Sequence, residues 1–171
     1  MKVLVTGANG FIGKNLCVNL KEQKQYDILE VNRNTSEKSF LSYLSKADFV
    51  FHLAAQSLVR ESYDQPLKTF EINAMGTANI LQALISVDKK VTVVMITSDK
   101  AYDNVEWVWG YKETDRLGGK DPYSASKGMA ELVIKTYFES FIKDKTDNIT
   151  LGIARAGNVI GGGDWAKDRI V

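Results

Sequence analysis

The most constraining stretch of this chain is a short apolar run, Lys2–Thr6, that stops at Gly7-Ala8-Asn9-Gly10-Phe11-Ile12-Gly13 and gives way to a helical spacing in Ile12, Leu16 and Leu20. Strand, glycine turn and helix in immediate succession open a dinucleotide-binding βαβ unit. Gly7 permits the tight turn, Gly10 lets the backbone approach a pyrophosphate, and Gly13 lets the helix pack closely on the strand. Free amides at the helix N-terminus then face the phosphates. With 171 residues, 44% of them hydrophobic, the chain has the apolar mass for one such domain with a real core.

Apolar runs and helical patterns alternate from there on. Residues 26–31 read as a second strand, 36–46 as a helix, and 48–53 as a third strand running into Ala54-Ala55. Residues 67–87 carry a long helical pattern in Phe70, Ile72, Ile80, Leu81 and Leu84, interrupted at Gly76. Residues 91–96 are nearly continuously apolar, as expected of a parallel strand covered on both faces. Asp121 as N-cap and Pro122 at the first helical position open a helix to about residue 142, with Met129, Leu132, Val133, Thr136 and Tyr137 as its packing stripe. Residues 149–154 form the last parallel strand. The expected class is α/β, a three-layer, doubly wound parallel sheet of Rossmann type.

Ligands of open parallel sheets bind beyond the carboxyl ends of the strands. Two such ends are polar here, Thr97-Ser98-Asp99-Lys100-Ala101-Tyr102 and Arg155-Ala156-Gly157-Asn158. Between them, Tyr123 and Lys127 stand four residues apart on one helix face, with the ammonium beside the phenol. That neighbour favours the phenolate, bringing a group that ordinarily titrates near pH ~10 toward proton transfer at neutral pH. The spacing alone equally describes a half-buried ring and a solvated amine; the glycine turn and the polar strand ends give it weight. At the tip of the second strand stands Asn32-Arg33 with no acid, and Glu30 lies inside the strand. An acid there holds the ribose of NAD and an arginine accommodates the phosphate of NADP, so Arg33 reads either as that phosphate ligand or as a solvated loop charge. Residues 106–111 hold three aromatics without a period, either a substrate-facing loop or a local aromatic core.

Composition narrows the classes. Twenty-two basic and 21 acidic residues leave a net charge of +1, which argues against nucleic acid or an acidic membrane surface as partner. The one cysteine, Cys17, has no internal disulfide partner and reads as a small buried hydrophobe. The one histidine, His52, has no second metal-type ligand at a useful spacing, so no metal is expected. No apolar run approaches the ~20 residues of a membrane span, and the start is a strand without a signal peptide's features. A cytoplasmic protein is expected, in which the glycosylation pattern Asn148-Ile149-Thr150 is accidental.

The T-G-x-x-G-x-x-G spacing resembles the short-chain dehydrogenase/reductase superfamily, in particular its extended branch of nucleotide-sugar enzymes. Between the second and third strands there is no room for that branch's usual extra strand and adenine-contacting acid. Residues 1–51, with this shortened stretch and the Asn32-Arg33 tip, are similar to the amino-terminal part of capsule-precursor reductases that act on a UDP-linked 4-keto sugar. From His52-Leu53-Ala54-Ala55-Gln56 through Leu58-Val59-Arg60 and Ser62-Tyr63 to the phrase at residues 155–165, the chain resembles CDP-glucose 4,6-dehydratases. The seam near residues 52–54 fits a natural mosaic, an engineered fusion or a divergent relative.

The resemblance implies a cofactor, NADP or NAD, held by Gly7, Asn9, Gly10, Phe11, Ile12 and Gly13, by Asn32 and Arg33, by Leu53, Ala54 and Ala55, and by Asn73, Tyr123 and Lys127. Asn73 would also support the site through hydrogen bonds. Tyr123 would deprotonate a sugar 4-hydroxyl, Lys127 support Tyr123 and hold the nicotinamide ribose, and Ser98 steady the reacting oxygen. Asp99 as acid and Lys100 as base would serve the loss of water. Many relatives carry glutamate in place of Lys100, and a lysine base must lose its proton, which requires burial or a nearby cation. The substrate implied is a nucleotide sugar, CDP-glucose ahead of a UDP-sugar, touching Arg60, Asn158 and Arg169. The rival readings are an NADP-dependent nucleotide-sugar reductase or epimerase and a non-catalytic dinucleotide-binding domain. Relatives also imply a homodimer through residues 67–87 and 123–142. They continue into a smaller carboxy-terminal substrate domain, so residues 1–171 are expected to be the dinucleotide-binding domain without it.

Overall fold

A single reversal of strand order organises the molecule, whose computed structural model describes residues 1–144 and 146–165. The strands are β1 (Lys2–Thr6), β2 (Asp27–Val31), β3 (Phe49–His52), β4 (Val91–Ser98) and β5 (Ile149–Ala156). They form one parallel sheet in the order β2-β1-β3-β4-β5. The helices are α1 (Phe11–Glu22), α2 (Glu37–Leu44), α3 (Val59–Asp64), α4 (Pro66–Phe70), α5 (Gly76–Leu84) and α6 (Pro122–Tyr137). The chain steps one way from β1 to β2 and the other way ever after. With right-handed crossovers, that reversal puts α1 on one face of the sheet and α2, α5 and α6 on the other. It also opens a crevice between the carboxyl ends of β1 and β3, where ligands of such sheets bind.

Successive strand residues point to opposite faces, which divides the core in two. Leu4, Val50, Val93 and Met95 pack with Leu44, Leu81, Leu84 and Ile134 under α2, α5 and α6. Val3, Val5, Phe51 and Ile28 pack with Leu16, Leu20 and Cys17 of α1, so the buried-thiol expectation holds. Ile12, counted in the apolar pattern of α1, lies exposed instead. Among the described residues, no helix is long and apolar enough to cross a membrane.

Three expectations need correction, and one helix went unpredicted. In β4 only alternate residues are buried, Val91, Val93, Met95 and Thr97, because α1 packs over β1, β2 and β3 and leaves the second face of β4 partly open. The pattern at 67–87 is not one helix broken at Gly76. A π-helical turn, Glu71–Met75, separates α4 from α5, and Gly76 itself is helical. Helix α3 was not legible, since six residues are too few for a period. Finally, the stripe assigned to packing on α6 points largely outward: Met129 and Leu132 are 44% and 54% exposed, and Thr136 is exposed too. The buried side carries Tyr123, Ser126, Lys127, Ala130, Glu131 and Ile134. Polar side chains occupy the inner face because they find partners there.

Candidate active site

The glycine turn is built as a cradle. Gly7 has φ +70°, and a Cβ there would sit 2.8 Å from the Ala54 nitrogen and 2.9 Å from the Leu53 carbonyl carbon. A Cβ on Gly13 would lie 2.2 Å from the Gly7 oxygen, so the close approach of α1 to the turn admits only glycine. Gly10 is the N-cap of α1 without a side-chain capping bond, and no acid stands in the first turn. The first amides of a twelve-residue helix therefore face the crevice uncapped, beside exposed Asn9 and Gly10 and part-buried Phe11. Across the crevice run Leu53, Ala54 and Ala55, all part-buried. This set fits the pyrophosphate of a dinucleotide. At the tip of β2, Glu30 is engaged by Lys21 at 2.5 Å, while Asn32 accepts from the Asn34 amide at 2.9 Å and Arg33 is exposed.

One hydroxyl locks the two walls together. Thr6 Oγ1 accepts from the amides of Leu53 and Ala54, each at 3.2 Å, and lies 2.8 Å from His52 Nδ1. A hydroxyl has one proton, and with both lone pairs engaged it donates that proton to Nδ1, leaving the imidazole protonated on Nε2. His52 is thus a structural part of the crevice; burial, and next the charge of Lys127, push it down to about 4.

Beneath α6 lies a polar layer. Asn73, in the π turn, donates to the Gln56 carbonyl at 3.0 Å and to Ser126 Oγ at 2.8 Å, and accepts from the Gln56 amide at 2.8 Å. Ser126 donates to the Tyr123 carbonyl at 2.6 Å, and the Tyr123 amide donates to Ser62 of α3 at 3.2 Å. The extra residue of the π turn places Asn73 where these partners meet, a common use of such turns at functional sites. At the start of α6, Asp121 accepts from the Ser124 amide at 2.9 Å, so the capping expectation holds.

Tyr123 and Lys127 are 8% and 7% exposed, with Lys127 Nζ 6.0 Å from the Tyr123 ring centroid. Burial pulls Lys127 down to about 8, against the opposing charge of Glu131. Thr97 and Ser98 do diverge: Thr97 is buried and donates to Glu131 at 2.7 Å, while Ser98 turns to Asp99, donating at 3.0 Å, and accepts from the Lys100 amide at 3.2 Å. Asp99 and Lys100 are both exposed, so burial does not assist a lysine base here. Asp99 Oδ2 comes 3.7 Å from where a Gly157 Cβ would be, which brings the ends of β4 and β5 together. Asn158 is exposed beyond β5 and Arg60 exposed on α3, while Arg169 lies outside the described residues. The aromatics of 106–111 form a surface cluster rather than a core: Tyr111 stacks on Tyr102 at 4.9 Å and leans on Trp107 at 5.5 Å, with Trp109 75% exposed.

Sequence reasoning missed Thr6, Gln56, Ser62, Ser126, Glu131 and the guanidinium of Arg155. Only Glu131 left a readable trace, standing one helical turn beyond Lys127.

Residues 3–169 match the model of the NAD dependent epimerase/dehydratase family. A CDP-glucose 4,6-dehydratase of Salmonella typhimurium is 54% identical over 129 residues, covering 74% of this chain and 36% of that protein. A UDP-2-acetamido-2,6-beta-L-arabino-hexul-4-ose reductase of Pseudomonas aeruginosa is 46% identical over 54 residues, 32% of this chain and 14% of that protein. Among solved structures, RMD from Pseudomonas aeruginosa complexed with NADPH superposes with a TM-score of 0.77 at 29% identity, covering 96% of this chain and 57% of that one. The chain spans 36%, 48% and 54% of the length of three relatives that it matches.

Proposed function

The chain belongs to the NAD dependent epimerase/dehydratase family, and from that membership we propose that it is the dinucleotide-binding domain of a nucleotide-sugar 4,6-dehydratase of the CDP-glucose type. The observation that carries this reading is the turn Ser98-Asp99-Lys100 at the end of β4. A plain reductase needs Ser98, Tyr123 and Lys127 and has no use for an added acid and base. A dehydratase must remove a proton from sugar carbon 5 and protonate the oxygen leaving carbon 6. The similarity to the Salmonella dehydratase supports the same substrate.

In this reading a nicotinamide held between the glycine turn and Tyr123-Lys127 would supply the redox chemistry, a hydride taken from carbon 4 and given back at carbon 6. Tyr123 takes the proton of the 4-hydroxyl, and the Lys127 cation stabilises the phenolate and holds the nicotinamide ribose. Ser98, released from Asp99, donates to the oxygen at carbon 4. Asp99 gives its proton to the departing oxygen while Lys100 removes the proton at carbon 5, once bound sugar has covered the lysine and disfavoured its charge, and Lys100 gives that proton back to carbon 5 as hydride reaches carbon 6. Arg60 and Asn158 contact the diphosphate or sugar.

A second reading, an NADP-dependent nucleotide-sugar reductase, is favoured by the acid-free Asn32-Arg33 tip and by the likeness to an NADPH complex. Incubation with CDP-glucose and either cofactor separates the two. A dehydratase recycles its nicotinamide, gives no net change at 340 nm and forms a 4-keto-6-deoxy product with ultraviolet absorbance in alkali; a reductase leaves CDP-glucose unchanged and consumes NADPH stoichiometrically only when given a nucleotide-linked 4-keto sugar. Orientation of the sugar supplies ~7 kcal/mol or more of such catalysis. These 171 residues span 36% of the length of the Salmonella dehydratase, so for them we expect measurable cofactor affinity and weak product formation. Strong reduction at 340 nm without a 4-keto product would overturn the dehydratase reading.

A further inference from the structure

Glu131 is 2% exposed and lies one helical turn past Lys127, so Tyr123, Lys127 and Glu131 form a column on the buried side of α6. A carboxylate at that depth must be matched by donors. Oε1 accepts from Thr97 Oγ1 at 2.7 Å and from Arg155 Nε at 2.7 Å; Oε2 accepts from Arg155 Nε at 2.9 Å and from Arg155 Nη2. The rest of the guanidinium reaches the loop that leaves β4. Nη1 donates to the Glu113 carbonyl at 3.2 Å, and the guanidinium carbon stands 4.6 Å from the Tyr102 ring centroid. Tyr102 in turn stacks on Tyr111. One carboxylate thereby ties together the residue before Ser98, the strand end three residues before Asn158, and the helical turn that carries Lys127. Through Arg155 it also holds the 102–117 loop.

We propose that Glu131 is a positioning residue of the site, acting twice: its oxygens set the register of the β4 and β5 ends through Thr97 and Arg155, and its charge is the counter-charge of buried Lys127. The functional meaning rests on the reading of Lys127 as part of the redox site, whereas both physical effects exist without cofactor or substrate. The titratable and charged groups around Lys127 are Tyr123 and Glu131 from its own helix, His52 from β3, and Arg155 from β5 on the far side of the carboxylate. His52 is neutral at pH 7, so Glu131 supplies the negative charge of this group. Burial outweighs that charge, which is why the lysine remains depressed to about 8 rather than restored to an exposed lysine's value.

The test is a titration of Lys127 in the whole chain by NMR of 13Cε-labelled lysine, its resonance identified by loss in Lys127→Arg. The unmodified chain should titrate near 8. Glu131→Gln should lower the midpoint by about one unit or more, while Glu131→Asp, which keeps the charge on a shorter arm, should restore most of it. Replacing both partners by neutral groups of similar shape keeps a buried pair's surroundings satisfied, so Glu131→Gln/Arg155→Met serves where the single variant does not fold, with the same lowering expected. Amide hydrogen exchange across residues 102–117 should accelerate at least tenfold in Glu131→Asp as well as in the neutral variants, since register depends on reach. A residue with only a stabilising role would lower the melting temperature and leave the Lys127 midpoint in place, and that result overturns the counter-charge. Unchanged loop exchange overturns the register effect. Failure of dinucleotide binding or of product formation is read in separate assays and bears on the proposed function, not on these midpoints.

Discussion

Acidification from pH 7 to pH 5 should destabilise this domain through one imidazole. His52 is the chain's one histidine, buried at the foot of the crevice with its Nδ1 2.8 Å from Thr6 Oγ1. In the folded chain burial, reinforced by the Lys127 charge, holds it at about 4. In the unfolded chain it titrates near ~6.5. The folded pKa is the lower one, so below ~6.5 the unfolded chain takes up a proton that the folded chain refuses, and stability falls with pH until the folded group titrates at about 4. Between pH 7 and pH 5 the difference amounts to about 2 kcal/mol, a sizeable part of a small domain's stability. Lowered carboxylates such as exposed Asp27 and half-buried Asp48, each paired with a lysine, titrate below this window. Urea unfolding at both pH values should show the loss as a shift of midpoint at constant slope, and His52→Gln should remove it whatever its own stability. The imidazole Hε1 resonance gives a direct reading, and a folded-state midpoint near 6.5 would refute the burial argument.

Lys127 gives a second pH window: its depressed pKa means that stability rises with pH from about 8 toward the ordinary lysine range, which denaturation at pH 8 and pH 10 would reveal. Tyr123→Phe should abolish any hydride transfer that the chain supports while leaving dinucleotide affinity within about threefold, since the lost group is the base and not a phosphate contact; retained transfer rejects the assignment. Arg33→Ala should weaken NADP about tenfold and NAD hardly at all, through loss of a charge-assisted bond, and calorimetry showing an NAD preference in the unmodified chain would reject the phosphate role. Leu67, Met75, Met129, Leu132 and Phe141 are exposed on or beside α4, α5 and α6, and we infer that two copies pair over them. Light scattering should give a dimer that Leu132→Glu splits, and a monomer mass at high concentration would remove the interface.

What was legible in the sequence follows from local chemistry. The glycine turn had to read as a turn because Gly13 admits no Cβ against the Gly7 oxygen, and Gly7 takes a positive φ. The strand runs declared themselves through apolar period, as did the caps of α6 through Asp121 and Pro122. Tyr123 and Lys127 share a helix face by spacing, and the glycine turn and the polar strand ends gave that spacing its weight. The outward turn of Met129 and Leu132 was not legible, because an apolar side chain on a helix looks the same whether it meets the sheet or solvent. Nor was the π turn at Glu71–Met75, which exists because Asn73 finds Gln56 seventeen residues back and Ser126 far ahead. Glu131 passed for an ordinary helix charge until β4 and β5 delivered Thr97 and Arg155 to its carboxylate. The sequence by itself determined the elements and the groups that carry chemistry, since backbone preference and side-chain type are local properties. Only the tertiary structure decided which of those groups are buried, paired and shifted in pKa, because burial and charge pairing depend on residues that lie far apart in the chain and meet at one end of the sheet.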